Sequence, residues 1–422
     1  MPYPALALAL LAGLLGLTAC DPKPVAPPAA APPRPTAAPP AATTNHAGHA
    51  HGTGKAKREV TRWGVDSLDV AVDGTTLHLF LADYATNSKN PVLLHQRSPD
   101  AGVTWSVPVR VDAGAIQPLA PHRGMDAQLA VSGAKLVALW NTPGTGFGGR
   151  GPMATALSAD GGASWQPGPN PADDGLPSDH NFVDCAADAT GTFHLVWLDS
   201  RGGTKGLRYA NSKDGGRTWS KNATLKPETC ECCWNTIAVG PDGSVHALFR
   251  DKNPRDMAVL SSTDHGASWT APVKVGNFNW DFQGCPHVGG GLLVRGTALH
   301  ALVWTGAAGH SGAYHLTSTD QGRTWSAPQR LGDADARRGD LASAGPQSLA
   351  AVWERVSDGE SVVFAATSAD AGTTWSEPKQ LSAPGINSAY PRVISVAGRY
   401  WVFWTESRPG QPSTWQSAGL EN

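Results

Sequence analysis

"SKDGGRTW", residues 212–219, decides the fold because it recurs. The chain repeats it as "SPDAGVTW" (98–105), "SADGGASW" (158–165), "STDHGASW" (262–269), "STDQGRTW" (318–325) and "SADAGTTW" (368–375). Successive copies start 50 to 60 residues apart, the spacing of propeller blades. The residue types fit a tight hairpin. The Asp can accept from backbone N–H groups across the turn, and the Gly supplies positive φ. The Thr or Ser then opens the next strand, and the Trp packs back under the turn.

Working outward from these turns, each copy follows an apolar run. The runs are "LHLFLAD" (77–83), "KLVALWN" (135–141), "FHLVWLD" (193–199), "VHALFRD" (245–251), "LHALVWT" (299–305) and "SLAAVWE" (348–354). A seventh, "YWVFWTE" (400–406), has no copy of the turn after it. Each run has a partner strand ahead of it, from "SLDVAVDG" (67–74) to "PRVISVAG" (391–398). The last third strand is "STWQSAG" (413–419). The count predicts an all-β chain, a β-propeller of seven four-stranded blades. The missing fourth strand of the seventh is expected from "REVTRWG" (58–64), which would join the chain ends and remove an exposed edge.

The six turns resemble the Asp-box (BNR) repeat of the sialidase-like propellers. That resemblance places each box between strands 3 and 4 of a blade. Sialidases have six blades, so six is the alternative count. Of the sixteen tryptophans, the six in the boxes and Trp140, Trp197, Trp304, Trp353 and Trp404 at the ends of second strands read as core. Trp234 and Trp280 fall in loops between blades and are the candidates for stacking on a sugar. The functional face lies opposite the boxes, where the 4→1 and 2→3 loops meet around the axis.

On that face the sialidase resemblance supplies roles. "PDGSVHALFRDKNPRDMAVLSSTDHGASW" (241–269) resembles the blade that carries one arginine of the family's triad, which implies that Arg250 grips a substrate carboxylate. "AYPRVISVAGRYWVFWTE" (389–406) resembles the family's final segment, which implies Tyr390 as nucleophile with Glu406 assisting it. Arg62 lies near the place of the first arginine, without the usual "RIP". Asp83 is nearest to the place of the acid, but the loop after it carries Asn87 and Asn90 there. The blade-5 loop "TGAAGHSGA" (305–313) offers no arginine, and Arg355 or Arg337 are the substitutes. The expectation is a sialidase-like propeller that binds, and hydrolyses if its set is complete, a glycan or small anionic ligand. An interaction scaffold without catalysis is an alternative.

"ETCECCWNTIAVGPDG" (228–243) holds three of the six cysteines. Counting back from hairpin glycines places Cys232, Cys285 and His180 at equivalent positions on three successive blades, with His122 and His287 nearby. Two readings follow. Cys185 and Cys285 each pair with one of Cys230, Cys232 and Cys233, giving two disulfides and one leftover thiol near His287. Alternatively, Cys230, Cys232, Cys233 and Cys285 with His287 or His180 hold copper or zinc. The disulfide staple is the expectation and the metal site its rival.

The N-terminus, "MPYPALALALLAGLLGLTAC", resembles a bacterial lipoprotein signal over 1–19, which implies cleavage before Cys20 and lipidation of its thiol. Residues 20–55 follow as a Pro/Ala-rich linker that cannot bury a core. Its "NHAGHAHG" (45–52) reads as solvated linker or as a weak metal-scavenging tract. The propeller occupies 56–422. These readings place the protein in the cell envelope, periplasmic or surface-facing, held to the membrane by its lipid and monomeric. The formal charge of −2 and the absence of a basic stripe argue against nucleic acid as a partner.

Overall fold

The computed structural model describes residues 63–421, apart from 122–123, 147–148, 178 and 358. The leader, Cys20, the linker histidines, Arg62 and His122 lie outside the described residues. The described chain forms seven antiparallel sheets in sequence order, the β-propeller that the repeat predicts. The innermost strands are Gly64–Asp73, Gln128–Ser132, Asn181–Ala187, Thr236–Val239, Gly290–Arg295, Ala336–Ser343 and Asn387–Val396. Each pairs with one of the apolar runs as its second strand.

Six sheets have four strands and the seventh has three, ending on Thr414–Leu420. Residues 58–62 of the expected closing strand are not described. What closes the chain among the described residues is a parallel bridge between Gly64 and Ser413. Ser413 N donates to Trp63 O at 2.7 Å, and Val65 N donates to Ser413 O at 2.9 Å. Val65 and Leu68 then share a core cluster with Val396 and Phe403 of blade 7.

The six repeat turns share one hydrogen-bond pattern. In the first, Thr104 N and Thr104 Oγ1 both donate to the Asp100 carboxylate, at 2.8 and 2.6 Å, and Ser98 Oγ donates to it at 2.8 Å. Those donors, led by Thr104, hold Asp100 down at about 2. The turn glycine has a second duty beyond its positive φ. A Cβ on Gly162 would lie 2.0 Å from the His95 ring of the preceding blade, and one on Gly372 would lie 2.4 Å from His315. At these two turns glycine is therefore needed both to turn and to let the neighbouring blade approach.

The second-strand tryptophans are core, as expected. Trp140, Trp197, Trp304, Trp353 and Trp404 are all buried. Around the axis the inner strands are tied by side chains that reach the next blade's backbone. Asp69 accepts from Leu129 N at 2.9 Å, Asp184 from Ile237 N at 2.7 Å and Asp340 from Val393 N at 3.0 Å. Thr236 Oγ1 donates to Gly290 O at 2.6 Å.

Candidate functional site

The inner strands carry bulges at their starts in blades 1, 3, 6 and 7. Three of these hold a non-glycine residue in the left-handed region: Phe182 (φ 54°), Arg338 (φ 54°) and Tyr390 (φ 57°). A bulge re-aims a side chain, and a left-handed non-glycine costs about 1 kcal/mol that the surroundings must supply. Arg338 and Tyr390 line a cavity of about 350 Å³ on the axis, together with Trp234, Asp126, Asp69 and Arg392. Gly124 and Gly289 permit the indole of Trp234, since a Cβ on either would sit within 2.3 Å of it.

Both arginines in this cavity are already paired. Arg338 donates to Glu354 Oε2 and lies over the Trp234 ring at 6.0 Å. Glu354 is fully buried and also accepts from Tyr390 N at 2.7 Å and Ser361 Oγ at 3.0 Å. Arg392 sits 3.5 Å from Asp69 and 3.4 Å from Asp126. Burial works against its charge, but Asp69, Asp126, Asp340 and Asp184 outweigh it and hold the guanidinium well above its ordinary value. Burial pushes Asp69 up to about 6 and Asp184 up to about 7.

Of the described residues named from the sialidase resemblance, Tyr390 lines this cavity, whereas Arg250, Glu406, Asp83, Arg355 and Arg337 do not. Arg250 is buried, and its three nitrogens donate to Val288 O (3.1 Å), Arg255 O (2.6 Å) and Trp304 O (2.8 Å). It braces backbone and presents no fork to a ligand. Trp280 is buried, stacked on Phe282 at 5.0 Å and edge-on to Trp304, so it is core and not a sugar platform. Glu406 is buried, accepts from Trp404 Nε1 at 3.1 Å and stands opposite Ser388 in the sheet. The carboxylate bonded to Tyr390's backbone is Glu354. Asp83 lies within the second strand of blade 1, opposite Val65 and Val92, with its pKa raised by burial. Arg355 is half-buried and paired with Asp333 at 2.8 Å, while Arg337 lies over Trp304 at 5.0 Å.

Beside the cavity the cysteines gather, with one exception. Cys230, Cys232 and Cys233 are buried, with Cys230 Sγ 3.0 Å from Cys233 Sγ and 3.8 Å from Cys232 Sγ. Cys232 is also grouped with Cys285 and His287. All five described cysteines are free thiols, so the expected pair of disulfides is absent among the described residues. Cys185 packs in a separate cluster with Val183 and Ala187 and does not reach the others. His180 is elsewhere too. Its Nε2 bonds Asp174 at 3.0 Å, and its buried Nδ1 has no partner. Counting from glycines brings Cys232 and Cys285 together but misplaces His180, although the hairpin loops of blades 3 and 4, 188–192 and 240–244, are equally long. The inner strand of blade 3 is bulged between Asn181 and Asp184, just after His180, whereas that of blade 4 begins only at Thr236. Hydrogen bonds from Cys232 and Cys233 hold Cys230 below the ordinary thiol range, and burial pushes Cys233 up to about 12.

No family model matches the chain, and no curated protein matches its sequence. Among solved structures, an ulvan lyase from a new family of polysaccharide lyases superposes with a TM-score of 0.55 at 12% identity, over 85% of this chain and 95% of that one. An ulvan lyase bound to -[GlcA(1-4)Rha3S]- gives a TM-score of 0.55 at 11% identity over the same shares. A Hadza microbial sialidase gives 0.49 at 17% identity, over 83% of this chain and 74% of that one. At such identities the ulvan lyase likeness speaks for a common fold and leaves the chemistry to the site.

Arg338, Glu354 and Arg392 escaped the sequence reading. Arg392 could have been found, since it lies two residues beyond Tyr390 on an inner strand. Arg338 and Glu354 come together only through a bulge, which leaves no spacing signature.

Proposed function

We propose that the protein binds a glycan at the open end of its channel. One observation carries this reading: Trp234, Arg338 and Tyr390, from three blades, line one cavity of about 350 Å³. An aromatic face beside a few fixed polar groups is the composition that sugar sites use. The ulvan lyase complex supports it at the level of the fold, since its ligand is a saccharide.

The charge pairing refines the ligand. Arg338 is engaged by Glu354 and Arg392 by Asp69 and Asp126, so a carboxylated sugar would have to displace a protein carboxylate. A hydroxyl-rich neutral ring meets no such competition and can donate to Asp126 while packing on Trp234. Cleavage of sialosides is not part of this reading, because Arg250 is committed to backbone carbonyls.

Calorimetric titration with neutral and uronic-acid oligosaccharides tests it. Neutral oligosaccharides should bind, and Trp234→Ala and Tyr390→Phe should each weaken binding about tenfold, the size of one lost stacking or hydroxyl contact. Release of sialic acid from a fluorogenic sialoside, lost in Tyr390→Phe, would overturn the reading in favour of hydrolysis. Heat of binding to no saccharide would also sink it.

A further inference from the structure

We infer that the cluster of Cys230, Cys232, Cys233, Cys285 and His287 binds one soft closed-shell cation, Zn²⁺ or Cu⁺, through no more than four of these ligands, between blades 4 and 5. The site is independent of the glycan reading.

The ligand atoms of Cys230, Cys232 and Cys233 all lie within 4.8 Å of one another, and so do those of Cys232, Cys285 and His287. Zn–S bonds of about 2.3 Å put tetrahedral sulfurs about 3.8 Å apart. The Cys230–Cys232 separation is 3.8 Å. The Cys230–Cys233 pair at 3.0 Å opens by less than about 1 Å to reach that spacing.

Four free thiols stand together and none is bonded to another. Packing alone would be served by alanine or valine, whereas thiolate and imidazole ligands select d¹⁰ ions. Cys232 belongs to both ligand groups. The inner group is buried, and the outer group opens through half-buried Cys285 to exposed His287. That gradient gives the ion a path from solvent through the outer ligands to the inner thiolates.

Cys230 N donates to Arg250 O at 3.0 Å. The guanidinium of the same Arg250 donates to Val288 O, next to His287. Arg255 Nε donates to Phe282 O at 3.0 Å and steadies the segment leading to Cys285. One buried arginine thus fixes both halves of the ligand set. Its buried positive charge also offsets the net negative charge of a thiolate–metal complex. Binding exchanges ions without redox change: each ligating thiol releases its proton to solvent and forms a metal–sulfur bond.

The test uses the full chain, purified without oxygen or metal. Its linker histidines can also bind metal, so the readout must report sulfur. Addition of Co²⁺ as a zinc surrogate should produce thiolate-to-cobalt charge-transfer absorption that saturates at one equivalent. Zn²⁺ should bleach that absorption, and one equivalent of Cu⁺ should be retained against a competing Cu⁺ chelator if copper is the preferred ion. Cys232→Ser should lower affinity at least a hundredfold, because it removes the shared ligand. His287→Gln should lower it about tenfold without unfolding, since the residue is exposed. Cys185→Ser should leave binding unchanged. Absence of the charge-transfer band, equal loss in Cys185→Ser, or disulfides in the anaerobically purified chain would each overturn the site.

Discussion

Arg250 is among the largest fully buried side chains, and every one of its bonds is to backbone carbonyl. Removing it strands three buried acceptors at about 1–3 kcal/mol apiece. Arg250→Met should therefore cost about 3 kcal/mol or more in urea unfolding, and Arg250→Lys should rescue little, because an ammonium lacks the planar fork that reaches three carbonyls. A variant that lost ligand binding at full stability would return Arg250 to the substrate set. The same residue shows what a sequence can and cannot tell. Its place at the end of a second strand was readable from "VHALFRD". Its direction was not, because the acceptors come from residues 255, 288 and 304, on other segments. Trp280 failed likewise, since its packing partner Trp304 is 24 residues away. The places of Trp234 and Tyr390 beside the axis were legible because one precedes an inner strand and the other starts one, whatever their side chains do.

The blade's outer hairpin is the element read most completely from sequence, since its bonds span only two to four residues. Less visible is what lies beneath it. Strand-2 and strand-3 histidines pair under the turns: His78 with His95 at 3.0 Å and His300 with His315 at 3.2 Å, while His246 bonds Ser261. His95 and His315 meet Trp165 and Trp375 of the next turn edge-on. Burial lowers His78, His95, His246 and His300 to about 4, and His315 to about 3. A folded pKa below the unfolded value means that the unfolded chain binds the proton first. Stability is then whole above about pH 6.5 and is lost as pH falls from there towards 4. Asp69 and Asp184, raised by burial, act in the opposite sense between their folded values and 3.8, so the net loss is smaller than the histidines alone would give. His300→Gln/His315→Gln isolates the contribution of one pair. Comparing urea midpoints at pH 7 and pH 4.5, the double variant should lose at least about 2 kcal/mol less than the parent. Equal losses would mean that these rings do not stay neutral in the fold.

At the scale of the whole molecule, a propeller is as stable as its last interface. Here that interface rests on Trp63–Val65 against Ser413 and on Val65 and Leu68 packed with Val396 and Phe403. Gly64 makes the contact possible in two ways. Its φ is +84°, and a Cβ there would lie 2.1 Å from Ser413 O and 2.7 Å from Ser413 N. Gly74, in the hairpin of the same blade, has φ +60° and nothing within 4 Å of its Cβ. The two glycines therefore separate backbone strain from loss of closure. Gly74→Ala should cost about 1 kcal/mol, the ordinary penalty for a left-handed alanine. Gly64→Ala carries that penalty and must also push Ser413 away, breaking two hydrogen bonds worth about 1 kcal/mol each. Its cost should exceed that of Gly74→Ala by about 2 kcal/mol, and hydrogen exchange should rise at Val65 and Ser413 together. If both alanines cost the same, closure depends on residues ahead of Trp63. Removing 58–62 would then destabilise the ring more than Gly64→Ala does.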